Sequence, residues 1–132
     1  MGRKKKRELW SGAPQNHDYP AAEDFLSLLY SPTRAKALVA KLRKQPIVTR
    51  KAKDLLRASR LPILDASNAH VRGDLKKIEN GETLSPVLLI RGDADVDAPL
   101  QIADGYHRIC ASWHVDEDAD IPCQIADAGK DA

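Results

Sequence analysis

The residues best suited to chemistry lie in Leu100–His114, LQIADGYHRICASWH, centred on Asp104-Gly105-Tyr106-His107-Arg108. Asp104 brings a carboxylate, His107 a ring that titrates near neutrality, and Arg108 a permanent planar cation with five N–H donors. Leu100 and Ile102 alternate with Gln101 and Ala103, the period of a half-buried strand. From Tyr106 the period becomes helical, with Tyr106, Ile109, Cys110 and Trp113 on one face. A turn from strand to helix within about two residues aims free backbone N–H groups, and the positive end of a helix dipole, beyond the strand end. Such a corner suits an anion, above all a phosphate. Asp104 competes for the same N–H groups unless a cation lies between, and Mg²⁺ commonly bridges carboxylates and phosphate oxygens. Asp104 is therefore the expected metal ligand. The plainer alternative makes Asp104 a helix cap, Gly105 a turn residue, and His107 and Arg108 solvated side chains.

Two other clusters can be weighed by the same chemistry. Asp93, Asp95 and Asp97 alternate like the start of an EF-hand, but Ala98 stands where its glycine belongs and Asp104 where its glutamate belongs. His107, Cys110, His114 and the later Cys123 could be combined as a zinc set, yet no C-x-x-C pair supports it and Cys110 falls on the apolar helix face. Core packing of the two cysteines in a reduced, cytoplasmic protein is the simpler account. No G-x-x-x-x-G-K-[ST], G-x-S-x-G or H-E-x-x-H motif occurs.

The elements that must position the corner follow from pattern. Residues 1–19, with the basic run Arg3–Arg7, read as an exposed tail anchored by Trp10; the run itself is a nucleic-acid or nuclear-localisation patch, or simply solubilising. Residues 21–30 predict a helix burying Phe25, Leu28 and Leu29, and residues 33–44 one burying Ala35, Leu38, Val39 and Leu42. Thr49 caps a third helix, 50–59, whose apolar side is Ala52, Leu55 and Leu56. Leu61–Leu64 reads as a first strand. Ser67 or Asn68 caps a helix through Ile78 that buries Val71, Leu75 and Ile78, and Asn80-Gly81 stops it. Val87–Ile90 is a continuous apolar run, expected as a strand covered on both faces. In the last strand Ile121, Cys123 and Ile125 share a face, and Pro122 argues for an edge position or a strand start.

The 132 residues are enough for a real core, and no apolar run approaches a membrane span. A net charge of +2 conceals a division: residues 1–60 carry 15 Lys/Arg against 5 Asp/Glu, residues 61–132 carry 6 against 14. A basic first half can bind nucleic acid or dock on its own acidic second half. Docking is favoured, since no aromatic residues interleave the basic positions of the two helices, 33–44 and 50–59. A helix-turn-helix reading of that pair meets a turn, QPIV, without the common glycine.

From Asn68 to Ile125 the chain resembles the ParB/sulfiredoxin superfamily: a helix (HVRGDLKKI), a turn (ENGETLS), a strand (PVLLIRG), a second strand (LQIADG), the DGYHR corner and a closing strand (DIPCQIA). The corner is similar to G-G-C-H-R of sulfiredoxins, to D-G-H-H-R of the superfamily's free-serine kinases, and to G-E-R-R of ParB proteins, which holds CTP phosphates. The resemblance implies an α+β fold, a small mixed β-sheet with packed helices, preceded here by an N-terminal helical segment. The divisions expected are a tail over 1–19, helices over 20–59, a nucleotide-binding core over 60–127 and a tail over 128–132. It implies that Gly105, Tyr106, His107 and Arg108 line the site of a nucleoside triphosphate, ATP or CTP, with Mg²⁺. Tyr106 stands at the sulfiredoxin cysteine position, and a phenol cannot do that thiolate's chemistry. His70 and Gly73 stand where sulfiredoxins place a nucleotide-binding Lys and Ser.

Three functions follow as expectations. The first is a small-molecule kinase or nucleotide hydrolase, with His107 and Arg108 neutralising the transferring phosphoryl group and Asp104 or Asp65 as the base for a small-molecule acceptor. The second is a nucleotide-sensing or DNA-associated module without turnover. The third is a domain that keeps the fold and acts through protein contacts.

Overall fold

The structure, a computed structural model, describes residues 9–129, so the basic run Arg3–Arg7 and residues 130–132 lie outside it. Its main sheet has four strands in the order β2-β6-β4-β5: β2 (Val48–Lys51), β4 (Val87–Arg91), β5 (Gln101–Asp104) and β6 (Asp120–Asp127). β4 and β6 run parallel, while β2 pairs antiparallel with β6 and β5 antiparallel with β4. A second, two-stranded sheet joins β1 (Leu9–Trp10) in parallel with β3 (Thr83–Leu84). The class is the expected α+β with a mixed sheet. Among the described residues no helix is long and apolar enough to cross a membrane.

Helices cover both faces of the main sheet, because β4 is apolar at every position from Val87 to Ile90. Alternation sends Leu88 and Ile90 to one side, where α1 (Asp18–Leu26) and α2 (Pro32–Arg43) pack Leu26, Leu38 and Leu42 on them. Val87 and Leu89 face the other side with Ile121 and Cys123, under α3 (Ala52–Ser59), α4 (Ala69–Glu79) and α5 (Tyr106–Val115). The apolar faces read for α2 and α3 are the buried ones. Asn68 caps α4, its side chain accepting from the N–H groups of His70 and Val71, and Gly81 follows at φ +74°.

Several expectations are corrected. The 1–19 tail is structured from Leu9, where β1 pairs with β3; Trp10 packs on the core, as its expected anchoring role requires. Asp18 and Tyr19 belong to α1 and are buried, with the Tyr19 hydroxyl donating to Gln124 Oε1 at 2.7 Å. Starting three residues early turns a different face of α1 inward. Tyr19, Ala22 and Leu26 are buried, and Phe25, Leu28 and Leu29 lie exposed. Thr49 does not cap α3; it sits in β2, whose pairing with β6 places Pro122 opposite it. β6 is therefore interior, and Pro122 is near its start, before its pairing with β4 begins at Cys123. Leu61–Leu64 forms no strand. Packing also crosses the division expected at residue 60: β2 joins the sheet, and α2 and α3 lie on opposite faces of it. Cations of the first half meet acids of the second, as in Lys51–Asp120 (3.1 Å), Lys53–Asp118 (2.6 Å) and Arg60–Asp97 (2.6 Å). Each such exposed pair contributes little alone.

Candidate functional site

The strand-to-helix corner forms as the spacing predicts. β5 ends at Asp104, α5 begins at Tyr106, and Gly105 between them takes φ +110°. A side chain there would be strained by that backbone. It would also strike Val87: a Cβ on Gly105 would lie 2.4 Å from Val87 Cγ1 and 2.9 Å from Arg108 Nη2. The sheet register shifts between Leu88 and Leu89, beside Asp104, an irregularity at the strand end from which the helix leaves. Gly105, at the N-cap of α5, has no side chain with which to cap the first turn.

Arg108 turns back along the helix to Asp104. Its Nη2 lies 2.9 Å from Asp104 Oδ2, with each side chain 17% exposed, and 3.4 Å from the Pro86 carbonyl oxygen. Its Nε is buried without a hydrogen-bond partner among the described residues. Burial pushes the Asp104 carboxyl above its ordinary range, the Arg108 cation pulls it down, and the Asp18 carboxyl beside it pushes it up again. Asp18, 2% exposed, also accepts from the Gln15 N–H at 2.8 Å and lies 3.4 Å from His17 Nε2. The donor set does not fit the Mg²⁺ ion expected on Asp104. One of its oxygens is held by a guanidinium, and the adjacent carboxyl belongs to the enclosed Asp18. Among the described residues no group of three or more His, Cys, Asp or Glu side chains could hold a metal ion.

His107 faces α4, its ring centroid 4.7 Å from that of His70 and 5.7 Å from that of Tyr106. Burial lowers its pKa first, then the His70 and Arg108 charges, against the opposing effect of Asp74. Asp74, one turn after His70, is half-buried, and burial raises its carboxyl while Lys77, Arg108, His107 and His70 pull it down. His70, Asp74, His107 and Arg108 thus form one polar seam between α4 and α5. Gly73, on the same helix, has open space where a Cβ would stand.

Tyr106 adjoins this seam through its ring, and the remaining sequence candidates lie along the 62–67 segment. The Tyr106 hydroxyl donates to the Pro62 carbonyl oxygen, and burial raises both that phenol and the Cys110 thiol beside it. His114 Nε2 is 2.7 Å from the Leu64 carbonyl oxygen. Asp65 is held by Ser67, whose side chain and backbone N–H both donate to it and lower its pKa; the charge it senses is His114, near the other end of α5. Asp65 is therefore not brought to Asp104, and the expectation that it could serve the corner as a base is corrected. Sequence reading missed Asp18 and Asp74. Asp74 was findable, since His70 and Asp74 share a helix face at i, i+4. No local signal ties Asp18 to Asp104, which are 86 positions apart.

No family model matches the chain, and neither a curated protein nor a solved structure matches it.

Proposed function

We propose that this chain binds a nucleoside triphosphate, ATP or CTP, by its phosphates at the 104–108 corner. The observation that carries the reading is an α5 N-terminus without a side-chain cap, entered through a left-handed Gly105, with Arg108, His107 and His70 grouped at the same end. Uncapped N–H groups and the helix dipole favour an anion there. The unpartnered Arg108 Nε is a further donor, and burial together with Asp18 weakens the carboxylate that competes for the guanidinium. The resemblance of residues 68–125 to ParB and sulfiredoxin proteins favours the same ligand class. In this reading Asp104 is the internal partner of Arg108, released when a phosphate takes its place.

Binding without turnover is the favoured form. Asp104 is engaged by Arg108 and Asp65 is remote, so neither carboxylate considered as a base is free at the corner. The test is calorimetric titration with ATP and CTP, each with and without Mg²⁺. Arg108→Ala should weaken binding roughly tenfold to a hundredfold, the equivalent of about 1.5–3 kcal/mol for a charge-assisted phosphate contact, with the fold checked by circular dichroism. Arg108→Lys should recover part of it, lacking the planar fork. A wild-type chain that binds neither nucleotide under either condition ends this reading and leaves action through protein contacts.

A further inference from the structure

Two imidazoles meet in the seam between α4 and α5. His70 is the second residue of α4 and His107 the second of α5, and their ring centroids lie 4.7 Å apart with the planes tilted by 41°. His70 is exposed and His107 partly so. Among the described residues neither ring hydrogen-bonds to a protein group. The other two histidines are engaged, His17 Nε2 lying 3.4 Å from Asp18 and His114 Nε2 2.7 Å from the Leu64 carbonyl oxygen.

The charges that act on His107 come from His70 and Asp74 of α4 and from Arg108 of its own helix. Lys77, further along α4, acts on Asp74, and behind Arg108 stand Asp104 and Asp18. α3 and β4, which also pack on α5, bring no charged group to bear on His107 among the described residues. A neutral imidazole offers one N–H donor and one bare nitrogen, whose lone pair repels a phosphate oxygen; a protonated ring offers two donors and a charge. Two neutral rings can touch as these do. A second proton on the pair meets the first at ring-contact distance, with the Arg108 cation beside it and Asp74 as the one opposing carboxylate. Each ring also stands in the first turn of its helix, where the dipole disfavours a cation and favours an anion. An anion laid across both rings removes these objections together.

We propose that His70 and His107 form a proton-linked clamp, the pair taking up a proton from solvent as a phosphate group binds, so that affinity rises as the pH falls. The clamp rests on the nucleotide reading and gives the 104–108 corner its regulation. In the free chain burial first, then the His70 charge, hold His107 below its ordinary value, with Asp74 opposing and Arg108 adding to the effect. The ring is therefore neutral at pH 7 and able to gain a proton. Since the bound state holds more protons than the free one, the binding constant must increase toward acid.

The test is calorimetric titration of the full chain with ATP and with CTP, without Mg²⁺, at pH 8 and pH 7. Two non-phosphate buffers of different ionisation enthalpy are used, and the difference in heat between them counts protons. Wild type is expected to take up about half a proton or more and to bind roughly three- to tenfold tighter at pH 7, one linked proton giving at most tenfold per pH unit. His70→Gln and His107→Gln keep a donor but cannot gain a proton, so each should lose most of the uptake and of the pH dependence. The nucleotide's own titration is common to all three chains, and circular dichroism checks each fold. In ¹H NMR of the free chain, the His107 ring should titrate at higher pH in His70→Gln, where its neighbour's charge is gone. Binding that is equal at pH 8 and pH 7 without proton uptake overturns the clamp and leaves the nucleotide reading standing. So does uptake in both variants equal to wild type, or a His107 titration unmoved by His70→Gln. No nucleotide binding at either pH ends the clamp and the nucleotide reading together.

Discussion

The same substitution should act with opposite sign at two glycines, and the difference measures how tightly the corner is built. At Gly105, alanine meets both a left-handed backbone and a collision. A φ of +110° is costly for any residue with a Cβ, about 1–2 kcal/mol for a left-handed conformation. The added methyl would stand 2.4 Å from Val87 Cγ1, and Val87 is fully buried on a central strand with neighbours on both sides. It cannot yield without disturbing β4, and overpacking of that kind costs about 1–3 kcal/mol. Gly105→Ala should therefore destabilise the fold by about 2–5 kcal/mol. Gly73 lies within α4 with nothing near the position of a Cβ. There alanine removes only the entropy penalty of glycine in a helix, so Gly73→Ala should stabilise by about 0.5–1 kcal/mol. Urea denaturation of wild type and both variants, followed by far-ultraviolet circular dichroism, gives the two differences directly. If Gly105→Ala costs less than about 1 kcal/mol, or if both variants move the midpoint the same way, the account of the corner is wrong.

The thiols should be inert in the native protein. Burial pushes Cys123 up to about 11 and also raises Cys110, so neither is appreciably thiolate at pH 7; a colorimetric thiol reagent should react slowly before denaturation and with both after it. Removing residues 1–19 should lower the melting temperature by several degrees, since it deletes β1, the buried Asp18 and Tyr19, and the Tyr19–Gln124 hydrogen bond; an unchanged melting temperature would mean that α1 contributes nothing through its first turn.

What could be read from sequence was what local pattern encodes. α2 and α4 announce themselves through apolar residues at helical spacing and, for α4, through Asn68; β4 does so through an unbroken apolar run, and the corner through a change of period at Asp104-Gly105. β2 was hidden because three of its four side chains, Thr49, Arg50 and Lys51, are exposed and polar, and its existence depends on a partner strand, β6, far along the chain. Leu61–Leu64 misled in the other direction. Its apolar residues and Pro62 cover α5 as irregular chain, with backbone oxygens taken by Tyr106 and His114. At the site, the residues of the corner were legible but their mutual engagement was not. That Arg108 is held by Asp104, and Asp104 crowded by Asp18, depends on α1 packing beside β5, a tertiary fact with no signature in either segment.

The strand order has a consequence for how the chain is made. β6 lies between β2 and β4, yet it is the last strand of the sheet to leave the ribosome. Until residues 120–127 emerge, β2 has no partner, and β4 can pair only with β5. A nascent chain that has already produced α1 to α5 still carries an open slot in its sheet, with the edges of β2 and β4 exposed to any extended segment nearby. Closure of the fold is thus postponed to its final strand. Before that strand arrives, the growing polypeptide depends on the speed of synthesis, or on a chaperone, to keep those edges from pairing with another chain.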